Sequence, residues 1–248
     1  MRETQVSIHE EKLYEYVILT GTQIKKGILI LVCFLGMRLV VARLWEHWFD
    51  MEYELSLPFL SFLLSTFMLM SVGLVYLGFT RWVGIDLKSW WFKPGRIKGD
   101  IKWGFGTIIL GVALIFGIGI VLLLLNITPP TITAAKESDV PLAQTLAQIP
   151  VDLLLGWFFG FGIAAFQEET IFRGFMQGEL SRRYGEWTGI VLQAFIFSFS
   201  HLGMTPLASI GDEVFSLLFR FGSGLLFGWL RVRRGTLLPA GIVHGLIG

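Results

Sequence analysis

The stretch Gln167-Glu168-Glu169-Thr170-Ile171-Phe172-Arg173 sets two adjacent carboxylates and a guanidinium at the end of the apolar run Leu153 to Gln167. A charged side chain at bilayer depth costs on the order of 3 kcal/mol by insertion scales, so it needs a structural or functional reason. Read as an α-helix, Glu169 and Arg173 stand at i and i+4, the favourable order for an acid–base pair. Glu168 is about 100° round the helix from Glu169. The spacing therefore predicts two roles, with Glu169 held by Arg173 and Glu168 left free to face a cavity. A helix end with solvated charges is the plainer alternative.

Two histidines can complete a hydrolytic site. Phe197-Ser198-Phe199-Ser200-His201 puts Phe197 and His201 on one helical face, and His244 follows the basic turn Arg231 to Gly235. Peptide hydrolysis needs a base within reach of a water, and an imidazole beside a carboxylate can share the water's proton. A lone histidine on an apolar helix is more often a satisfied core residue, so position has to decide. Glu168 and His201 are 33 residues apart (201 − 168), with their midpoint beside the polar turn Arg182-Arg183-Tyr184-Gly185. In an antiparallel hairpin, residues equidistant from the turn share one height. Glu168 and His201 are thus predicted to face each other, about 4–7 Å apart if each bonds one shared water at about 2.6–3.2 Å. His244 is nine residues beyond Gly235, about 14 Å along a helix. All three are expected to meet part-way into the membrane from the cytoplasmic side.

The elements that must carry these residues are membrane spans. Apolar residues make up 54% of the 248 positions and charged residues only 16%, against roughly 25% charged in a soluble domain. A bilayer core needs about 20 apolar residues per helix. Leu57 to Thr80 and Trp103 to Leu125 carry no charge, and Trp187 to Gly211 carries little besides His201. Gly27 to Trp45 is interrupted by Arg38 and Arg43, and Val214 to Leu230 by Arg220. With Leu153 to Gln167, and Leu237 to Gly248 as the start of a seventh span, the expectation is an all-α polytopic bundle. The last stretch is only 12 residues long, which leads us to expect that the native chain continues.

The loops alternate in charge. Lys25-Lys26, Arg81 to Lys102, Arg182-Arg183 and Arg231 to Arg234 are basic, whereas Glu46 to Glu54, Ile127 to Val151 and Thr205 to Glu213 are acidic or nearly uncharged. Lys/Arg excess marks cytoplasmic loops. The chain therefore reads as a multi-pass cell-membrane protein: residues 1–26 form a cytoplasmic N-terminal segment, and 27–248 one transmembrane domain with its catalytic part at 151–248. The N-terminus lacks the pattern of a cleaved signal peptide. The net charge of +1 implies no nucleic-acid partner, and the single Cys33 permits no internal disulfide. Ser89 to Pro94 (Ser-Trp-Trp-Phe-Lys-Pro) reads as an interfacial stretch with its aromatics at headgroup depth. Gly156/Gly160 and Gly224/Gly228 have the spacing of close helix approach. Gly104-Phe105-Gly106 lacks the βαβ context of a phosphate loop.

Glu-Glu-x-x-x-Arg, then Phe-x-x-x-His, then a further histidine, in this order on membrane helices, resembles the CPBP family. That family contains the type II CAAX prenyl endopeptidases and the bacteriocin-processing or immunity-type (Abi-like) membrane proteins. The resemblance covers Phe166 to Gly248. It implies a core of about eight spans, a membrane-associated peptide or protein substrate, and Glu168 and His201 activating a water. It also implies that His244 helps to stabilise the oxyanion, with Glu169 and Arg173 completing the set. The family carries Asn or Asp four residues after that histidine, where this chain has Gly248. Either that donor is missing or the ending is not the native one, and losing one oxyanion donor costs about 10²–10³ in rate.

Three other readings compete. The first is a zinc protease with Glu168, His201 and His244 as ligands, although no His-Glu-x-x-His spacing is present. The reading without a cofactor is preferred. The second is a non-catalytic immunity-type or scaffold membrane protein, which has no need of buried charges. The third is a transporter with Arg38, Arg220 and the glutamates along a polar path, although the two halves show no repeat.

Overall fold

The computed structural model describes residues 18–50, 57–124, 160–202 and 210–247. Most of the N-terminal segment, the loop at 127–151, Gly156, the start of the span expected from Leu153, and Gly248 lie outside them. Among the described residues every regular element is helical. Helix α1 is Gly21–Asp50, and α2 is Leu57–Leu77, which continues as a π-helical turn over Gly78–Val83. A short α3, Leu87–Trp91, precedes α4, Ile97–Leu124. Helix α5 covers residues 160–184 without a break, and α6 is Glu186–Phe199. Helices α7, Ile210–Arg234, and α8, Leu238–Ile247, close the described chain.

Among the described residues two stretches are long and apolar enough to cross a bilayer, Thr66–Val83 and Ile210–Arg234. The first core is aromatic. Phe34 of α1, Phe79 at the end of α2, Trp90 and Trp91 of α3, and Phe172 and Phe175 of α5 are all buried in it. A smaller core joins Phe227 and Leu230 of α7 to Ala240 and Val243 of α8.

Trp90 and Trp91, in the stretch expected at headgroup depth, are packed against the protein's own helices. Both are buried. Trp90 packs on Phe79 at 5.8 Å, while Trp91 stacks on Phe166 at 5.5 Å and donates its indole N–H to Thr170 Oγ1 at 3.0 Å. An indole buries a large apolar area and still needs a partner for its N–H, and Thr170 supplies that partner beside Glu169. Only Phe92 of that aromatic run is exposed.

In the span expected over Trp187 to Gly211, the helix that begins at Glu186 ends at Phe199 and turns over residues 200–202, while 203–209 lie outside the described residues. There the backbone tightens, with His201 N donating to Ser198 O and Leu202 N to Phe199 O, both at 3.1 Å. Ser200 Oγ also donates to Phe197 O at 2.7 Å. A serine hydroxyl that satisfies a last-turn carbonyl gives the chain an alternative to continuing the helix. At the other end Gly185, with φ +90°, makes the hairpin turn between α5 and α6, a backbone position that suits glycine.

Gly224 and Gly228 act as the close-approach pair. A Cβ on Gly224 would stand 2.9 Å from the Ala194 backbone of α6. Gln193 Nε2 donates to Gly224 O at 2.8 Å, and Gln177 Nε2 to Gly228 O at 3.0 Å. Small residues and buried amides of this kind hold membrane helices together. The start of α8 is fixed by a side chain from the first turn of α4 and a backbone carbonyl of α3. Buried Asp100 accepts from Arg234 Nε and Thr236 Oγ1, both at 2.8 Å, and Leu237 N donates to Trp90 O at 2.9 Å.

Candidate active site

The acidic motif is not wound as a plain α-helix. Within α5 the segments Gly160–Ala165 and Glu169–Met176 are π-helical, with Phe166–Glu168 α-helical between them. π-Helical turns are rare and recur at functional sites, since their i→i+5 winding re-aims side chains. Gln167, Glu168, Glu169, Thr170 and Arg173 are all buried. Even with the wider winding, Arg173 Nη1 meets Glu169 Oε1 at 3.0 Å. The Arg173 guanidinium also lies over the rings of Phe197 at 4.1 Å and Phe227 at 5.0 Å. Such faces favour a cation that has lost its water.

Glu168 is not free, contrary to the sequence expectation. Its Oε1 accepts a hydrogen bond from Arg38 Nη1 of α1. Next to it Ser71 of α2 donates to Gln167 Oε1, so both N-terminal helices grip α5 at this level. The spacing argument could not see these partners, because they come from elements 130 and 96 residues away. One signal was nevertheless present: an arginine inside an apolar run needs a partner.

The histidines converge on the other oxygen of Glu168. His201 Nε2 lies 3.5 Å from Glu168 Oε2, and His244 Nε2 lies 3.6 Å from the same atom. The hairpin height is as the spacing predicted, and the separation falls below the predicted 4–7 Å because both rings point at one oxygen. Their far nitrogens are fixed. His201 Nδ1 is 2.8 Å from Phe197 O, and His244 Nδ1 is 2.8 Å from Glu169 Oε1. A carbonyl and a carboxylate can only accept, so each Nδ1 is the donor, and in the tautomer this selects Nε2 is the bare nitrogen.

Three lone-pair atoms therefore face one spot. Glu168 Oε2 is buried and makes no short hydrogen bond among the described residues, and separations of 3.5–3.6 Å are long for direct bonds. A water fits that demand, since its two O–H groups can satisfy two of the three acceptors. The formal charges of the cluster already balance, with Glu168 and Glu169 set against Arg38 and Arg173. Among the described residues no three His, Cys, Asp or Glu side chains are disposed as ligands for a metal ion. A dication at Glu168 would also stand beside the Arg38 guanidinium, a like charge. No step below is routed through a metal.

A cavity of about 140 Å³ opens from Glu168 between α1 and α2, walled by Met37, Arg38, Phe67, Met68 and Gln167.

Residues 150–248 match the family described as Rce1-like, type II CAAX prenyl endopeptidase Rce1-like. The resemblance read from the motifs is therefore shown for that stretch, which holds Glu168, Glu169, Arg173, His201 and His244, while Arg38 lies outside it. At family level the match supports a protease-type enzyme, and its description names neither bacteriocin-processing or immunity-type proteins nor metallopeptidases. No curated protein and no solved structure matches the chain.

Proposed function

We propose that this protein is a glutamate-dependent intramembrane endopeptidase that cleaves a membrane-associated peptide or protein, with prenylated CAAX peptides as the first substrate class to test. The observation that carries the proposal is the meeting of His201 Nε2 and His244 Nε2 at Glu168 Oε2. Glu168 and His201 take a proton from the bound water as its oxygen attacks the scissile carbonyl carbon. That proton can pass to His244 Nε2. The resulting imidazolium, its Nδ1–H on Glu169, is then a donor for the oxyanion. Collapse of the tetrahedral intermediate returns the proton to the leaving amine.

The bilayer is the proposed setting. Leu110 and Phe116 on α4 and Phe215 on α7 are 70%, 69% and 72% exposed. With Ile109, Leu114, Ile120 and Leu124 also exposed along α4, apolar surface on this scale is rare on soluble monomers. A multi-pass arrangement with a cytoplasmic N-terminus accounts for it, and for the basic loops on one side. The substrate segment would enter by the cavity beside Glu168.

The test uses the full chain in lipid nanodiscs with an internally quenched prenylated CAAX peptide. Cleavage by the wild type and its loss in Glu168→Gln are expected. Equal rates in the two would remove Glu168 as the base. No cleavage of prenylated or unprenylated peptides by well-folded protein would favour the non-catalytic reading.

A further inference from the structure

We propose that Arg38, on a helix outside the family-matched stretch, is a positioning residue of this site, fixing one oxygen of Glu168 so that the other is presented to both histidines. The inference deepens the hydrolase reading and rests on it for its catalytic consequence only. Its geometric core stands without it.

Two contacts set the register of α1 against α5. Phe34 meets Phe172 edge-on at 6.3 Å, and Arg38, four residues later, bonds Glu168, four residues earlier. The two segments therefore run antiparallel, and seating one pair delivers the other. Phe34 and Phe172 are fully buried, so this register is pinned by packing. The Arg38 guanidinium lies 5.5 Å over the Phe34 ring, which restrains it from below. Its side chain is 14% exposed, at the wall of the cavity that leads to Glu168.

A carboxylate can turn about its last torsion, which is broad and two-fold. With Oε1 held by Arg38, that rotation is closed and Oε2 alone faces the imidazoles. Without Arg38 the group can turn, and the three-acceptor arrangement that seats the water is lost. Arg173 cannot substitute, because it is engaged with Glu169 and three aromatic rings. The matched stretch thus holds the reacting groups, while α1 holds the group that aims them.

The experiment compares wild type, Arg38→Lys and Arg38→Met as full chains in nanodiscs. The first readout needs no substrate. With ¹⁵N-labelled histidine, of which the chain has four, the ring signals of His201 and His244 are assigned from His→Asn variants. They should move in Arg38→Met and stay near their wild-type positions in Arg38→Lys. Unmoved signals in a folded Arg38→Met protein would overturn the inference, whatever the protein's activity.

The second readout is cleavage of the quenched prenylated peptide. A misplacement of about 1 Å can cost about 10²-fold, so Arg38→Met should lower kcat by about 10- to 100-fold, with KM changed less than about twofold and partial recovery in Arg38→Lys. A change confined to KM, or equal loss in both variants, would also overturn it. If the wild type cleaves nothing, the hydrolase proposal fails, and the histidine signals still decide the role of Arg38.

Discussion

His244 Nδ1 stands 2.8 Å from Glu169 Oε1, the same oxygen that receives Arg173 Nη1 at 3.0 Å. The second carboxylate of the pair is thus a junction between α5 and α8, joining a helix to itself and to the histidine of the last helix. Glu168 and Glu169 are neighbours with divided labour. One faces the spot where chemistry is proposed, and the other holds that spot together.

The two glutamines at these positions should therefore behave differently. Glu168→Gln is expected to lower turnover by about 10²–10⁴-fold, the usual contribution of a general base, with the smaller drop in melting temperature, because Arg38 borders the cavity and is 14% exposed. Glu169→Gln leaves Arg173 buried without its charge partner, which costs about 3–5 kcal/mol. Thermal unfolding of the two variants in the same detergent checks the contrast. A larger loss of stability in Glu168→Gln would reverse the assignment.

His201 and His244 are held by different acceptors, and their replacement should separate them. His244→Asn breaks the link between α8 and Glu169, so it should lower both melting temperature and turnover. His201→Asn gives up a bond to a carbonyl four residues back, Phe197 O, rather than one between helices, and should lower turnover by about 10²-fold or more with the smaller loss of stability. Measured side by side, equal stability losses would contradict the geometry.

Chelation distinguishes the preferred reading from the metal one. Activity in nanodiscs should survive prolonged treatment with 1,10-phenanthroline followed by desalting. Loss of cleavage that zinc alone restores would place a metal at Glu168 after all.

Orientation is accessible through the lone thiol. Cys33 is free and exposed, so it is replaced by serine and new cysteines are introduced singly. A cysteine at Arg96 should resist a membrane-impermeant maleimide in intact cells and react after lysis. Labelling from outside would refute the cytoplasmic placement of the basic loops.

Gly224 supplies a packing test far from the chemistry. A valine there meets the Ala194 backbone, which cannot move aside as a flexible side chain would. Overpacking typically costs about 1–3 kcal/mol. Gly222, with open space about its own Cβ position, is the control, and Gly222→Ala should be nearly neutral.

What the sequence made legible was what local periodicity governs. The Glu169–Arg173 pair, the equal height of Glu168 and His201 about Gly185, and the arrival of His244 all follow from counting along helices. What it hid depends on partners far along the chain. The Arg38–Glu168 bond and the Ser71–Gln167 bond need the packing of α1 and α2 on α5, which no single window contains. The π winding of Glu169–Met176 was invisible because counting assumed 3.6 residues per turn. Trp90 and Trp91 were placed at the headgroups by composition, whereas Thr170 and Phe166 gave them partners inside. The stop of α6 at Phe199 was written in Ser198-Phe199-Ser200, whose hydroxyls serve equally in helices and in turns.

The latch of Asp100, Arg234 and Thr236 makes α8 a lever. The helix is fastened just ahead of its first residue, at Arg234 and Thr236, and His244 rides about 10 Å along it from Leu237 at 1.5 Å per residue. A swing of only about 5° at the fastening carries the imidazole close to 1 Å, a displacement that can cost about 10²-fold in rate. A change at Asp100, outside the matched stretch and near no reacting atom, would be felt at the far end of that arm. Tuning how hard the latch grips is thus a way to set the pace of the site without altering any group in it.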